Sequence, residues 1–307
     1  MLDSLRRSRR LKKGRRSKDL SRTGLADLHV HTSASDGTLT PEETVREAAR
    51  VGLEAVGITD HDTIAGVEPA LDEGCRIGVE VVPGVEINTD YGDKEVHILG
   101  YYIDYHSVVL MDYLTRLRQG RYERGKRIVD LLNTLGVKIN YQRVLEIADG
   151  ASVGRPHVAR AIVEAGYADS LNTAFAKYLV RGAPAYVPRY RLTPPEAVEI
   201  VCKSRGVAVL AHPGKSKHDE IIPTLMKAGL KGLEAYHPDH TPEQSAYYVR
   251  LAEKYGLLVT GGSDSHGPSM IKPVPIGSVT VNMDVVKKLR TLARLSVKQD
   301  EVEGRQK

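Results

Sequence analysis

The sequence lacks tryptophan and has one phenylalanine and two cysteines among 307 residues. Disorder is nevertheless not expected for the body of the chain, since 41% hydrophobic and 27% charged residues are near the average for globular proteins. Cys75 and Cys202 lie far apart in helical patterns, so no disulfide scaffold is indicated. No apolar run is long enough for a secretion signal or a membrane span. We therefore expect a reducing, cytoplasmic compartment and no membrane partner.

Positive charge is concentrated at the amino terminus. Residues 1–23 contain ten Lys or Arg and two Asp, a net charge of +8, whereas residues 24–307 contain 34 basic and 37 acidic residues, a net charge of −3. This basic arm has too few apolar residues to fold on its own. Such an arm can bind RNA, DNA or another anionic surface, and an upstream start codon that adds a dispensable extension explains it equally well.

From residue 24 onwards, short runs rich in Val, Ile and Leu alternate with stretches of helical periodicity. This alternation is typical of a βα repeat and not of a β-sandwich. Thr40, followed by proline and an acidic turn, is a clear helix start signal. The predicted strands are residues 25–30, 54–59, 80–87, 96–102, 206–211, 232–236 and 257–262, and the predicted helices are residues 41–51, 64–76, 194–204, 219–228, 242–255 and 283–293.

The segment from about 104 to 190 breaks this rhythm, because it has several helical patterns and no convincing strand. We expect an inserted helical lobe, whose first helix spans roughly residues 107–135. Arg118, Arg121 and Arg124 recur there at a spacing of three, nearly on one face. The predicted organisation is a basic disordered arm at 1–23, a first βα part at 24–103, the lobe at 104–190, a second βα part at 191–295 and a tail at 296–307.

Histidines and carboxylates recur at or near one end of every predicted strand. The pattern begins with DLHVHTSASDG at residues 27–37, where alternation along a strand puts His29 and His31 on the same side. On its own, this pair fits a half-buried polar strand face as well as it fits a metal site. The other residues of this kind are Asp60, His61, Asp62, Glu86, His97, His212, His237, Asp264 and His266.

In a closed parallel βα barrel, the carboxyl ends of the strands converge on one face, where catalytic groups gather. A lone histidine at a strand end more often satisfies a backbone group than binds a metal. Seven strands that each bring a histidine or carboxylate to or near the same end reverse that balance. The sequence therefore predicts a site for several metal ions.

Imidazole and carboxylate ligands without cysteine suit manganese, zinc or iron better than calcium or magnesium, which prefer oxygen ligands alone. We expect two or three divalent transition metal ions. Ions about 3.5 to 4 Å apart activate water and stabilise the attacking and leaving oxygens in phosphate ester hydrolysis. Glu86 is the natural bridge, because its two oxygens can bind separate ions.

Together these residues resemble the PHP family, the polymerase and histidinol phosphatase domain. The resemblance covers nearly everything from about residue 25 to 280 and rests on motifs in the family's order: DLHVHTSASDG, GITDHDT, PGVEI, VHILGY, AHPG and GGSDSHG. It implies a hydrolase with an α/β fold, a distorted (β/α)7 barrel with an inserted helical lobe.

The resemblance also implies three metal positions. On the family pattern, the first ion is held by His29, His31, Glu86 and Asp264, the second by Glu86, His97 and His212, and the third by Asp36, His61 and His266. Asp36 stands where some relatives have histidine, which fits the SDG branch and would weaken or change the third position. His237 and His266 are candidates for protonating the leaving oxygen, and water is another.

The lobe, with GRPHVARAIV at 154–163 and RGAPAYVP at 181–188, resembles the branch that includes nucleoside 3',5'-bisphosphate phosphatases and a 5'-to-3' exoribonuclease acting on short RNA. Many members of that branch have lysine in a GKPAYV motif. This chain has Ala183 there, so one expected positive charge is missing.

Four lobe residues are predicted to bind substrate. Arg155 stands at a helix start, where free amides and the helix dipole favour an anion, and its guanidinium matches phosphate oxygens. His157 stands beside it, and Arg121 and Arg124 belong to the arginine stripe. The alternative for the arginines is an ordinary solvated or ion-paired surface position.

Three functions stay open. The first is a metal-dependent phosphoesterase that removes a phosphate from a 3',5'-bisphosphonucleotide or trims RNA ends. The second is a histidinol-phosphate phosphatase, and the third a noncatalytic module that binds nucleic acid or a polymerase. The complete ligand set favours an enzyme, and the acidic balance of residues 24–307 disfavours broad binding to long nucleic acid. We expect a nucleotide or short RNA substrate, with the basic arm as a further contact for nucleic acid.

Overall fold

The protein is described from a computed structural model that covers residues 24–92, 94–148, 153–188, 192–268, 270 and 273–304, apart from the side chains of Arg118 and of residues 296–304. The predicted basic arm at 1–23 lies outside the described residues. Among the described residues, no helix combines the length and the apolar character needed to cross a bilayer.

One eight-stranded sheet curves into a nearly closed barrel, which confirms the predicted α/β barrel. The strands are β1 (Leu25–Val30), β2 (Ala55–Ile58), β3 (Glu80–Tyr91), β4 (Lys94–Tyr101), β5 (Val207–Leu210), β6 (Gly232–Tyr236), β7 (Leu258–Gly261) and β8 (Val281–Asn282). The first seven overlap the predicted strands, and β3 extends four residues beyond its predicted end. The eighth is a short addition that pairs antiparallel with β1.

The two ends of the sheet meet where β7 approaches β1. Val30 forms a parallel bridge with Ser265, just after β7, and the His31 amide donates to the Ser265 carbonyl at 2.9 Å. Glycine is required at position 262, because a Cβ there would lie 2.4 Å from the His29 backbone nitrogen. The closure brings the segment after β7 next to the two histidines of β1.

Strand β4 runs antiparallel to both of its neighbours, which departs from the all-parallel barrel. Only two residues, 92 and 93, separate β3 from β4, and so short a turn joins antiparallel strands only. The start of β4 consequently lies beside the far end of β3, with His97 opposite Asn88. His97 therefore reaches the same end of the barrel from the beginning of its strand.

Helices surround the barrel. Thr40 caps the first of them, since its Oγ1 accepts from the Glu43 amide at 3.2 Å and a Glu43 oxygen accepts from the Thr40 amide at 2.8 Å. The helices outside the lobe are α1 (Pro41–Arg50), α2 (Val67–Ile77), α7 (Pro194–Lys203), α8 (Pro213–Ser216), α9 (Ile222–Ala228), α10 (Pro242–Tyr255) and α11 (Met283–Gly304). The predicted helix at 219–228 is divided into a 3-10 turn (Asp219–Ile221) and α9, and α11 continues into the predicted tail.

A helical segment follows β4 and has a hydrophobic core of its own. It consists of α3 (Val108–Thr134), α4 (Tyr141–Ala148), α5 (Arg155–Glu164), α6 (Leu171–Ala174) and a π-helical turn (Phe175–Leu179), and we call it the helical lobe. Helix α3 joins the two cores: Leu110 and Leu117 pack on the barrel, while Ile128 and Leu132 pack in the lobe. The polar middle of α3 thus lies between barrel and lobe. Domain boundaries at 104 and 190 stay a prediction.

A candidate metal centre at the end of the barrel

The structure brings the nine predicted metal-ligating residues together at the carboxyl end of the parallel strands, with Glu86 in the middle. The Glu86 side chain is fully buried. Five histidine rings lie around it, each with a nitrogen 2.8 to 3.2 Å from a Glu86 oxygen. These rings belong to His29, His31, His61, His97 and His212. Three of them face Oε2 and two face Oε1, as suits a carboxylate that bridges ions.

Asp264 reaches the cluster from the loop after β7. Its Oδ1 lies 3.1 Å from His31 Nε2 and 3.5 Å from His29 Nε2. Its Oδ2 lies 3.2 Å from His237 Nε2. Because the Asp239 amide donates to His237 Nδ1 at 3.0 Å, the proton of a neutral His237 ring sits on Nε2 and points to Asp264.

His266 and Asp36 form the outer part of the cluster. His266 Nε2 lies 3.4 Å from Asp36 Oδ1, and the Asp36 side chain is 55% exposed. His266 Nδ1 lies 2.9 Å from the Asp264 carbonyl. This side of the cluster is therefore the one most open to solvent.

In the described part of the chain, three groups of residues have ligand atoms within 4.8 Å of one another. The groups are His29, His31, Glu86 and Asp264; His61, Glu86 and His97; and His31, Asp36, His61 and His266. The first group is the set implied for the first ion. The second contains His61 where the resemblance implies His212, and the third contains His31 as well as the implied residues.

Six polar atoms of this cluster are buried without a hydrogen-bond partner among the described residues. They are His29 Nε2, His31 Nδ1 and Nε2, His61 Nδ1, Glu86 Oε2 and His97 Nε2. An unpaired buried polar atom costs about 1–3 kcal/mol, and native proteins contain few. The five histidine nitrogens among them all lie near carboxylates. Three are next to Glu86 or Asp264, His97 Nε2 is next to Glu95, and His31 Nδ1 is next to Asp36. Such a concentration of ligand atoms fits bound divalent cations.

The charges of the cluster also suit cations. Burial alone would raise the pKa of the Glu86 carboxyl, but His61 and His29 hold it well below its usual range. Burial opposes the charged form of His31 too, yet the nearby carboxylates of Asp264 and Glu86 raise its pKa to about 9. Protons and metal ions therefore compete for the same ring nitrogens.

Glu234 is a buried carboxylate absent from the predicted site residues. Its Oε1 lies 2.9 Å from His29 Nδ1, and its Oε2 accepts from the His212 amide at 2.8 Å. With Nδ1 engaged in this way, His29 Nε2 faces Glu86 and Asp264. A carboxylate behind a histidine fixes the ring and its tautomer. The sequence feature that could have indicated Glu234 is the motif GLEAYHP, in which the glutamate lies inside β6 at a buried position.

Arg121 connects the helical lobe to this cluster. Its Nη2 forms an ion pair with Asp62 Oδ2, next to His61. Asp62 also accepts from the Asn88 amide at 3.0 Å, so three segments meet at this carboxylate. The structure thus places one of the four predicted substrate-binding residues beside the cluster of predicted metal ligands.

The other three have hydrogen bonds within the lobe. Arg124 Nε donates to the Val187 carbonyl at 2.7 Å, and Arg155 Nη1 donates to the Leu179 carbonyl at 3.3 Å. His157 Nδ1 accepts from the Gly154 amide at 3.0 Å, which caps the start of α5. These contacts give each side chain a structural role in addition to the predicted one.

Comparison with known proteins agrees with this geometry. The model of the PHP domain family matches residues 27–179. The chain is 37% identical over 256 residues to the 5'-3' exoribonuclease Rnm of Salmonella typhimurium, across 79% of this chain and 85% of that protein. It is 33% identical to the phosphoribosyl 1,2-cyclic phosphate 1,2-diphosphodiesterase of Eggerthella lenta, across 79% and 94%. It is 32% identical to the 3',5'-nucleoside bisphosphate phosphatase of Chromobacterium violaceum, across 79% and 87%.

A solved structure with the same fold comes from Bifidobacterium adolescentis and is described as a metal-dependent phosphoesterase. It matches with a TM-score of 0.73 and 34% identity, over 87% of this chain and 96% of that one. Relatives above 30% identity match this chain over most of their length, one of them with the same fold, and the buried cluster suits divalent cations. The chain therefore belongs to the PHP domain family and is a metal-dependent hydrolase.

Proposed function

We propose that the chain is a phosphoesterase that hydrolyses phosphate esters of nucleotides. Its substrate is a 3',5'-bisphosphonucleotide, from which it removes a phosphate, or a short RNA, from which it releases nucleotides in the 5'-to-3' direction. The observation that carries the proposal is the set of six buried, unpaired ligand atoms around Glu86. The named activities of the Salmonella and Chromobacterium relatives support the choice of substrate.

We further propose two or three manganese, zinc or iron ions at this centre. The nine proposed ligands are His29, His31, Asp36, His61, Glu86, His97, His212, Asp264 and His266. When bound, such ions activate water and neutralise the oxygens around phosphorus. Glu234 orients His29 through the 2.9 Å contact with its Nδ1.

Protonation of the leaving oxygen is assigned to His237, with His266 as the alternative. His237 holds its proton at Nε2, on the side of Asp264, because its Nδ1 accepts the Asp239 amide. His266 Nε2 instead faces the exposed carboxylate of Asp36. A proton held at the inner edge of the centre is the better placed to reach an oxygen that departs from phosphorus.

The helical lobe is proposed to bind the remainder of the nucleotide. Arg121, Arg124, Arg155 and His157 supply its cationic and polar groups, and Arg121 lies where the lobe meets the metal centre. We place the activity in the cytoplasm, in keeping with Cys75 and Cys202, which are both free thiols. The basic arm at 1–23 is a further proposed contact for RNA.

A second candidate is hydrolysis of a cyclic phosphodiester of a phosphorylated ribose. The observation that favours it is the 33% identity to the Eggerthella enzyme, of which this chain covers 94%. Both candidates need the same metal centre and differ in the group bound next to the reacting phosphorus. Substrate comparison therefore separates them.

The test is a side-by-side assay of the manganese-loaded protein, with products identified by mass. The substrates are adenosine 3',5'-bisphosphate, a short 5'-phosphorylated RNA, phosphoribosyl 1,2-cyclic phosphate and histidinol phosphate. We expect turnover of the first two, and none by a His29→Ala/Asp264→Ala variant. Turnover of the cyclic phosphate or of histidinol phosphate alone would overturn the nucleotide assignment. Inactivity on all four with metal bound would favour a noncatalytic binding module.

A further inference from the structure

Lys215 is a cation at the metal centre to which neither the sequence motifs nor the family resemblance assigns a role. It lies on the short helix α8, three residues after His212. Its Nζ is 3.6 Å from Asp264 Oδ2 and 3.4 Å from Asp239 Oδ2, and its side chain is 44% exposed. The ammonium group therefore lies at the rim of the centre, against the oxygen of Asp264 that faces away from His29 and His31.

The backbone that carries Lys215 is held firmly. The Gly214 amide donates to His240 Nε2 at 3.0 Å, and His240 Nδ1 lies 2.9 Å from the Ala235 carbonyl in β6. A Cβ at Gly214 would lie 2.7 Å from the His240 ring, so the ring packs directly on the glycine. Position 215 is thus fixed relative to β6, although its side chain reaches solvent.

An ordinary surface ion pair does not account well for this placement. Asp239 is 61% exposed, and ion pairs that are this exposed contribute little to stability. Asp264 belongs to the first group of ligand atoms, where its Oδ1 contacts His29 and His31. A cation bound there would take up the charge of that carboxylate. Among the described residues, the exposed Asp239 would then be the ion-pair partner left to Lys215 at the rim.

We propose that Lys215 is a substrate-binding residue that contacts a phosphate oxygen of the ester held at the metal centre. This inference rests on the proposed phosphoesterase function. A lysine is a compact point charge on a flexible stem, so it can follow a phosphate oxygen as charge builds up during transfer. The ligand class is a phosphate monoester or inorganic phosphate, the product of its hydrolysis.

The experiment measures binding of inorganic phosphate to the manganese-loaded full-length protein by calorimetry, together with metal per chain and the KM for adenosine 3',5'-bisphosphate. For Lys215→Met we expect at least a tenfold rise in the Kd of phosphate and in KM, with metal per chain unchanged. The tenfold change corresponds to about 1.4 kcal/mol. Because Lys215→Arg keeps the charge, its Kd for phosphate and its KM should stay within about threefold of the parent values.

Two control variants separate this role from structural ones. Lys203→Met removes a lysine that pairs with Glu199 on the surface of α7, and it should leave all three quantities unchanged. Asp239→Asn removes the exposed partner of Lys215 and should not weaken phosphate binding. The inference is overturned if Asp239→Asn reproduces Lys215→Met, if Lys215→Met loses metal, or if it binds phosphate like the parent. A parent protein that neither binds phosphate nor hydrolyses any ester would instead reject the proposed function itself.

Discussion

The metal centre and the helical lobe satisfy their polar groups in opposite ways. At the centre, six buried atoms lack a hydrogen-bond partner in the described part of the chain. In the lobe, Arg121, Arg124 and Arg155 each donate to a protein acceptor. Unpaired buried groups point to a ligand from outside the chain, because their burial is otherwise unfavourable. Groups that already have partners fit a structural role and a binding role equally well, so mutation must distinguish them.

The largest difference in bound metal is expected between variants of the proposed metal ligands and variants of the lobe arginines. His29→Ala/Asp264→Ala removes two members of one ligand group, and we expect kcat/KM to fall by at least about 10³-fold, which corresponds to about 4 kcal/mol. Metal per chain, measured by mass spectrometry, should fall with it. The matched double variant Arg121→Ala/Arg124→Ala should keep its metal. Equal metal contents in the two double variants would contradict the contrast.

The pH dependence of metal binding follows from the raised pKa values of the ion-free centre. Burial disfavours charged His97, but the Glu86 carboxylate raises its pKa to about 9, the same value as for His31. Metal ions bind neutral imidazole, so below pH 9 each ion must displace protons. Affinity for manganese should rise with pH by about tenfold per unit for each proton released, between pH 6 and 8. Chelator competition measures it, and a flat profile would contradict it.

Glu234 should affect the metal affinity of the centre without contacting substrate. Glu234→Gln keeps the shape but removes the charge behind His29, and loss of such a partner lowers metal affinity by about 10–100-fold. Competition with a fluorescent chelator gives the affinity, and Glu199→Gln on the surface of α7 is the control. An unchanged metal affinity would mean that Glu234 stabilises the barrel interior and has no effect on the metal centre.

The smallest effect is expected where the lobe meets the centre. Arg121→Ala removes the cation beside Asp62, and we expect KM for the bisphosphonucleotide to rise by about tenfold, or 1.4 kcal/mol. Bound metal should not change, because Asp62 is outside the three ligand groups. Arg121→Lys should restore part of the loss. If Arg121→Ala leaves KM unaltered, the arginine only docks the lobe on the barrel.

Much of the barrel is predictable because its strands are short runs of Val, Ile and Leu with histidines or carboxylates at or near their ends. The clustering of His29, Glu86 and Asp264 follows from strand direction alone. The reversal of β4 is harder to foresee, since the deciding feature is a two-residue turn and not the strand that follows it. The ion pair between Arg121 and Asp62 depends on how α3 leaves the barrel, which no local pattern encodes.

The meeting of β1 and β7 has a consequence for the stability of the whole chain. His29 and His31 stand on one side of this junction and Asp264 on the other, more than 200 residues later. A cross-link that closes so long a loop removes configurational entropy from the unfolded chain, and the gain grows with the logarithm of the loop length. An ion shared by these side chains would be a reversible cross-link between the first and last parallel strands. The ions that support hydrolysis would therefore also stabilise the closed barrel.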